Sequence, residues 1–386
     1  MPVVRLKPVP APMPEIRYPL IRPDVPAVAD WLPRLELAYR ARRFSNFGEI
    51  SRELEATLLR AWGGPESCCV ALSSGTAAVA VPLIAREVCG RVVVPAFTFA
   101  ATLSAVRMAG AEPILVDVSP EGWHVTAPTL DQAIRLTGAR AAVVTSPFGL
   151  RRDFTPHAAL LADVGGTLVA DSAAGLGVNR DCIERHAHCF EAYSMHATKS
   201  FAIGEGGLVF GHRSAEVPLR RAANFGLMPG NPSDLAGWGI NGKLSELHAA
   251  VGLAAARQYG ERLARKRALV RRYIDALAPF GCTSCCGDPS SGAWQSFPVL
   301  LPSGDASCRF ADAAAALGME TRRYYHPSLS ILPDVEQVGP CPVSEDLSKR
   351  MCCIPVYADA SQDEMDEIVS IAAQAARVAL GATASC

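Results

Sequence analysis

Between Cys69 and Phe210, short apolar runs alternate with helix-like runs, and this alternation restricts the fold more than any other feature of the chain. The strand candidates are Cys69–Leu72, Val92–Val94, Ile114–Val118, Ala141–Thr145, Leu168–Ala170, Ala192–Met195 and Leu208–Phe210. Between them lie helix patterns at Thr76–Val88, Ala100–Ala109 and Thr129–Leu136. Consecutive strands joined through helices run parallel and need helices on both faces, so the pattern predicts an α/β fold with a mostly parallel sheet. Ligands of such sheets sit at the carboxyl ends of the strands, and chemistry-bearing residues are expected there.

The flanking regions differ from this core. Residues 1–28 are proline-rich and aperiodic, which predicts an extended arm of the kind that lies along a partner surface. Ile50, Leu54, Leu58 and Trp62 share one face of a predicted helix, with Ser51 near its start. An Ala-rich, Arg-studded stretch from Leu244 to Pro279 predicts two helices, or one bent near Gly260. After the Gly/Ser/Cys-rich loop 281–293 come strand candidates at Trp294–Leu301, Thr321–Tyr325 and Cys352–Val356, with helices at Phe310–Leu317 and Asp363–Leu380. The expected organisation is an arm at 1–28, a large ligand-binding domain at 29–243, connecting helices at 244–280 and a smaller α/β domain at 281–386, with no internal repeat.

A net charge of -1 with 19% charged residues offers no basic field for nucleic acid. Although 49% of residues are hydrophobic, the apolar runs are broken by Gly, Pro and charge, and none is long enough for a membrane span. The first residues show no apolar block followed by a cleavage site, so a cytoplasmic protein is expected. Thirteen cysteines, several in adjacent pairs, read as small buried apolar residues rather than as a disulfide framework. Cys282 and Cys285 have half of a zinc spacing but no second pair, His186 and His188 read as loop histidines, and no metal is expected.

Four segments carry chemistry. Ser73-Ser74-Gly75-Thr76 follows a strand and opens a helix, as either a plain N-cap or a phosphate cup. Asp171 closes a strand before small residues, where a carboxylate either caps a loop or holds a ring nitrogen in its protonated form. Lys199 stands between a strand and the turn Gly204-Glu205-Gly206-Gly207; an amine in such an apolar setting is a nucleophile and proton carrier, and the expected partner is pyridoxal phosphate, held as a Schiff base. Ser194, five residues earlier, has a hydroxyl for a phosphate. Phe97 and Phe99 leave a strand at its carboxyl end; Phe99 is expected to lie on a planar ring and Phe97 in the core.

In their order and spacing, SSGTAA at Ser73, VPAFTFAAT at Val94, GAEPILVDV at Gly110, VADSAAGLG at Val169, SMHATKSFAIGEGG at Ser194, GINGKLSELHAAVGL at Gly239 and TRRYYHP at Thr321 resemble the DegT/DnrJ/EryC1/StrS group of pyridoxal-phosphate aminotransferases, mostly nucleotide-sugar enzymes, over residues 18–375. The resemblance implies the aspartate-aminotransferase type I fold and a homodimer with active sites at the subunit boundary. It implies Lys199 as the Schiff-base lysine, Asp171 on the pyridinium nitrogen, Phe99 on the ring, and Gly75, Thr76 and Ser194 on the phosphate. Asn241 would reach the phosphate of the neighbouring subunit, with Lys243 where the family usually has arginine. Arg322, Tyr325, Asn46 and Gly48 fall in stretches near the substrate. Two departures touch the pocket: Ala174 stands where the family commonly has Gln or His, and Ser146-Pro147-Phe148-Gly149 replaces a frequent His-Leu-Tyr-Gly. The intact Lys199 argues against the dehydratase branch, which has histidine there.

The function expected is amino transfer from glutamate or glutamine to a nucleotide-bound keto-sugar, a 4-keto-6-deoxyhexose above all. A keto-cyclitol or other secondary-metabolite carbonyl is an alternative acceptor. A non-catalytic cofactor-binding regulator is the alternative from another class, against which the pairing of Lys199 with Asp171 speaks, because a sensor needs no electron sink.

Overall fold

The computed structural model describes residues 15–178, 186–282 and 288–381. Its twelve strands are β1 (Ser67–Leu72), β2 (Arg91–Pro95), β3 (Glu112–Val116), β4 (Ala141–Thr145), β5 (Thr167–Asp171), β6 (Cys189–Ser194), β7 (Gly207–His212), β8 (Leu227–Met228), β9 (Asn231–Leu235), β10 (Ser296–Leu300), β11 (Glu336–Gln337) and β12 (Met351–Pro355). The α-helices are α1 (Val28–Ala41), α2 (Glu49–Trp62), α3 (Gly75–Ala85), α4 (Ala100–Met108), α5 (Ala127–Thr137), α6 (Thr155–Asp163), α7 (Glu216–Ala222), α8 (Glu246–Leu277), α9 (Gly304–Ala316), α10 (Pro342–Arg350) and α11 (Gln362–Leu380).

Eight strands form one sheet in the order β1-β7-β6-β5-β4-β2-β3-β11. Only β7 runs antiparallel to its neighbours. Successive residues of each strand enter opposite cores: Val93, Ala142, Val144, Leu168 and Ala170 face one, Val92, Val94, Ala141, Val143 and Val169 the other. Burial on both faces explains why these strands read as continuous apolar runs. Cys68 and Cys69 are separated in the same way, Cys68 facing one core and Cys69 the other, while Cys352 and Cys353 both lie in the second of these; the thiols serve there as small apolar groups. Among the described residues no group of three His, Cys, Asp or Glu side chains could hold a metal; Cys285 lies outside them. No described helix is long and apolar enough to cross a membrane.

One sequence expectation is narrowed and one is corrected. Of the two readings of the stretch after Leu244, the structure has the single helix, the 32-residue α8, which includes Gly260. A helical glycine costs about 1 kcal/mol relative to alanine, which the buried face Tyr259, Leu263, Leu269, Val270, Tyr273 and Leu277 offsets. Thr321–Tyr325 is not a strand. Arg322 makes a single bridge to Cys353, and the chain then turns so that Tyr325 stacks on Phe148 instead of continuing along β12.

The C-terminal region builds the antiparallel pair β10–β12, packs α9 against β12, and packs α11 against α9 and α8. It is tied to the large sheet at several points. Strand β11 extends that sheet beside β3, and Asp117, just past β3, accepts bonds from the amides of Val343 (2.9 Å) and Ser344 (2.8 Å) at the start of α10. Residues 15–27 run across the same lobe, where the amides of Arg17 and Tyr18 donate to the Gly318 carbonyl (2.8 Å each) and the Arg22 guanidinium lies 3.8 Å from the centre of the Tyr357 ring. Residues 1–14 of the expected arm are outside the described range.

On α8, Lys266 is only 6% exposed, donates to Ser200 Oγ at 3.2 Å, and has its amine lowered by burial to about 8. Because that value lies below the ordinary 10.5, the unfolded chain binds more protons at this position, and stability rises with pH between the two values. Below pH 8 the cost is on the order of 3 kcal/mol, against about 1 kcal/mol for the hydrogen bond. Lys266→Met is therefore expected to stabilise the protein by about 2 kcal/mol at pH 7 and to show a smaller rise in stability between pH 8 and 10.5 than the wild type, measured by denaturant unfolding across that range.

Candidate active site

The carboxyl ends of β2, β4, β5 and β6, the start of α3 and residues of the C-terminal lobe enclose a cavity of about 390 Å³. Local sequence fixes each wall. After β6 the chain makes a tight loop in which the Met195 amide donates to the Gly206 carbonyl (2.8 Å) and the Ala197 amide to the Gly204 carbonyl (2.7 Å). Gly204 adopts a φ of 99°, a conformation suited to glycine, and Lys199 is carried on this loop into the cavity.

The first turn of α3 presses on the end of β6. A Cβ at Gly75 would lie 2.7 Å from that of Ser194, and one at Gly207 only 2.0 Å from the Ser74 carbonyl oxygen. Ser74 Oγ caps the helix by accepting from the Ala77 amide (3.1 Å), while the Gly75 and Thr76 amides belong to the turn whose donors have no intrahelical acceptor. Positive helix-end potential, those amides and the Ser194 hydroxyl form a cradle for a small anion.

Asp171 ends β5 with 7% exposure. Its Oδ2 accepts from Thr102 Oγ1 at 2.7 Å and its Oδ1 from the Ala173 amide at 3.2 Å. Burial pushes its carboxyl above the usual range, while the Thr102 bond, the Lys199 charge and the Ala173 amide pull it back. Burial lowers the Lys199 amine to about 8, with Asp171 opposing the shift. Lys199 Nζ donates to Oε1 of Gln295, from the C-terminal lobe, at 2.7 Å.

Phe99 lines the cavity while 58% exposed, whereas Phe97 is buried edge-on to Phe148 and Tyr325. The Tyr325 ring stacks on that of Phe148 with centroids 5.3 Å apart and 11° between planes. Phe148 reaches this position with a φ of 57°, and Ala174 lines the cavity beside it.

Gly75, Thr76, Phe99, Asp171, Ser194, Lys199 and Tyr325 are thus brought together, and five other expected residues lie outside the cavity wall. Asn46 is exposed with a φ of 65°. Gly48 precedes α2, and a Cβ there would stand 2.5 Å from the Glu246 carboxylate, which caps α2 by accepting from the amides of Ile50 (2.8 Å) and Ser51 (3.2 Å). Asn241 is exposed and bridges to Asn224. The Lys243 amine, lowered by burial, lies 4.5 Å from the centre of the Phe225 ring. Arg322 is exposed and paired with Glu320 at 3.0 Å.

The sequence reading missed Gln295 and the hydroxyls of Thr98, Thr102 and Thr145, all in the cavity wall. The i, i+4 spacing of Thr98 and Thr102 at a strand end is a faint signal for that pair, but nothing local marks Gln295. The assembled groups fit pyridoxal 5′-phosphate: the Gly75 cradle suits its phosphate, the buried Asp171 carboxylate its ring nitrogen, Phe99 its ring face and the Lys199 amine its aldehyde.

Residues 29–372 match the model of the DegT/DnrJ/EryC1/StrS aminotransferase family. The chain is 28% identical over 397 residues to Protein Rv3402c of Mycobacterium tuberculosis, covering 97% of this chain and 93% of that one. It is 23% identical over 369 residues to the dTDP-4-amino-4,6-dideoxy-D-glucose transaminase of Escherichia coli, covering 92% and 97%. A solved structure described as a putative PLP-dependent aminotransferase from Bacillus cereus superposes with a TM-score of 0.81 at 22% identity, covering 92% of this chain and all of that one. The aspartate-aminotransferase type I fold expected from the motifs is the fold found.

A lysine amine near 8 that feels an opposing carboxylate makes a signed prediction. In cofactor-free protein, reductive methylation of Lys199, followed by peptide mass analysis, is expected to have its midpoint near pH 8. Asp171→Asn removes the attraction that raises the amine value and is expected to move that midpoint lower. A Lys199 midpoint at the ordinary 10.5 would contradict the assigned burial.

Proposed function

This chain belongs to the DegT/DnrJ/EryC1/StrS aminotransferase family, and we propose that, with pyridoxal 5′-phosphate as its cofactor, it moves an amino group from glutamate or glutamine to the ketone of a nucleotide-linked sugar, most specifically a 4-keto-6-deoxyhexose. The observation that carries this reading is the single cavity holding an amine near 8, a buried carboxylate and an anion cradle. Bound there, the cofactor supplies an electron sink for the carbon that bears the amino group.

The chain's own residues divide the work. Lys199 has an amine value close to neutral pH, so Nζ can both take and return a proton at the reacting carbon. Gln295 Oε1 holds that amine in place, Asp171 favours a protonated ring nitrogen, and Gly75, Thr76 and Ser194 hold the phosphate. Phe99, at the cavity wall, would offer its ring to a face of the bound cofactor. The E. coli relative's name places its amino group on carbon 4 of a dideoxyhexose, which supports the same class of acceptor here.

The reading includes a cytoplasmic homodimer. Lys199 is the only Lys or Arg among the described residues lining the cavity, too little positive charge for a cofactor phosphate together with an anionic substrate. Phe44, Phe225, Leu235, Trp238 and Leu247 are exposed large apolar residues, and the Phe44 carbonyl accepts from the Glu246 amide while the Phe225 amide donates to the Ile240 carbonyl. These links set Phe225 beside Ile240 and Lys243 and Phe44 beside Glu246. Covering this apolar surface with a second copy would bring Asn241 and Lys243 to the neighbouring cavity rim.

Purified protein supplied with pyridoxal phosphate and glutamate or glutamine, then given a panel of nucleotide-linked keto-sugars, should yield amino-sugar nucleotides by mass analysis. Borohydride should fix the cofactor on Lys199, and Lys199→Ala should lower turnover by about 10³-fold or more while remaining folded. Absence of any half-reaction with either donor would refute the proposal.

A further inference from the structure

Three buried threonines form a line that ends on Asp171. Thr145 Oγ1 lies 3.1 Å from Thr98 Oγ1, which lies 2.9 Å from Thr102 Oγ1, which lies 2.7 Å from Asp171 Oδ2. All three threonines are at most 5% exposed. Valine has nearly the same shape, and a buried hydroxyl costs free energy unless it is bonded, so three in succession mark a polar device within an otherwise apolar wall.

The direction of the chain follows from proton counting. An ionised carboxylate only accepts, so the single Thr102 hydroxyl proton is committed to Asp171. Thr102 must then accept from Thr98, whose own proton is thereby spent, and Thr98 must accept from Thr145. Every hydroxyl points its proton toward the carboxylate, and each bond polarises the next. Protonating Asp171 at Oδ2 removes the reason for that order. The chain joins the ends of three strands: Thr145 closes β4 opposite Asp171 at the end of β5, while Thr98 follows β2 and Thr102 lies in the first turn of α4.

We infer that Thr145, Thr98 and Thr102 are positioning residues, a one-way hydroxyl chain that keeps the Asp171 carboxylate ionised and fixes its rotamer for the cofactor's ring nitrogen. The inference rests on the cofactor assignment above for its purpose, but the chain itself can be tested without cofactor. The other groups bearing on Asp171 are the Ala173 amide that follows β5, the Lys199 amine from the loop after β6, and the Tyr325 phenol from the C-terminal lobe.

The test is the titration of the Asp171 carboxyl in cofactor-free protein, followed by infrared difference spectroscopy against Asp171→Asn. Thr102→Val should raise the proton affinity of Asp171 roughly tenfold, as expected for losing a hydrogen bond to a charged group. Thr98→Val and Thr145→Val, which leave that bond in place, should raise it by a smaller factor, about two- to threefold for Thr98→Val. Thr102→Ser should restore the wild-type midpoint, which a purely steric role would not require. With cofactor bound, the same order should appear in the rate at which pyridoxal phosphate is lost. If Thr102→Val leaves the midpoint unmoved, or if it alone moves while Thr98→Val and Thr145→Val match wild type, there is no chain. Should Thr102→Val fail to fold, Thr98→Val and Thr145→Val decide the matter. A normal titration series in a protein that never transfers an amino group would sink the proposed function and leave the hydroxyl chain standing.

Discussion

Lys199 and Asp171 feel each other's charge in a partly buried cavity, and most of the local architecture serves that opposition. Burial alone drives the amine toward neutrality and the carboxyl toward protonation. Each is held back by the other and by neutral dipoles: the Thr102 hydroxyl, the Ala173 amide and the Gln295 carbonyl oxygen. The parallel sheet makes this possible, because adjacent strands β5 and β6 end on the same side and deliver their following residues to one place. Glycines at 75 and 207 then let α3 and β7 close against that place at distances no Cβ would allow.

The elements most legible in the sequence were those whose cause is local. Strands β2, β4 and β5 are continuous apolar runs because both faces are buried, and that pattern is readable without neighbours. Lys199, Asp171 and Gly75 were legible because each sits at a junction of strand, turn and helix that leaves a composition signal. Less legible were features decided by distant partners. Gly260 reads as a break or a bend until the packed face of α8 is known. Gln295 acquires meaning only when the C-terminal lobe meets the lysine loop, and Gly48 acquires a second reading, as clearance for the Glu246 cap, only when α8 is seen beside α2.

The two departures noted from the family pattern meet at one corner. Phe148, bent into a left-handed conformation, turns its ring flat against Tyr325, and Ala174 adds only a methyl group to the wall. On this side the cavity is bounded by an aromatic stack, whereas the Asp171 side is bounded by hydroxyls. An acceptor entering here would find hydrogen-bond partners on one side and ring faces on the other, which ranks candidate ketones by where their own polar edge lies.

The ties between the C-terminal lobe and the large sheet also have a mechanical meaning. Strand β11 is hydrogen-bonded to β3, Asp117 holds the start of α10, and the Ala96 carbonyl, two residues short of Thr98, accepts from both the Leu329 amide and the Ser328 hydroxyl. A hinge rotation of the lobe as a body would break these anchors together, and they lie along the β2–β3 edge of the sheet that carries the cavity. Access to such a site then falls to rim side chains, with exposed Phe99 as the most prominent, and the distance from the amine to its glutamine partner is set by these hydrogen-bonded anchors rather than by a closing domain.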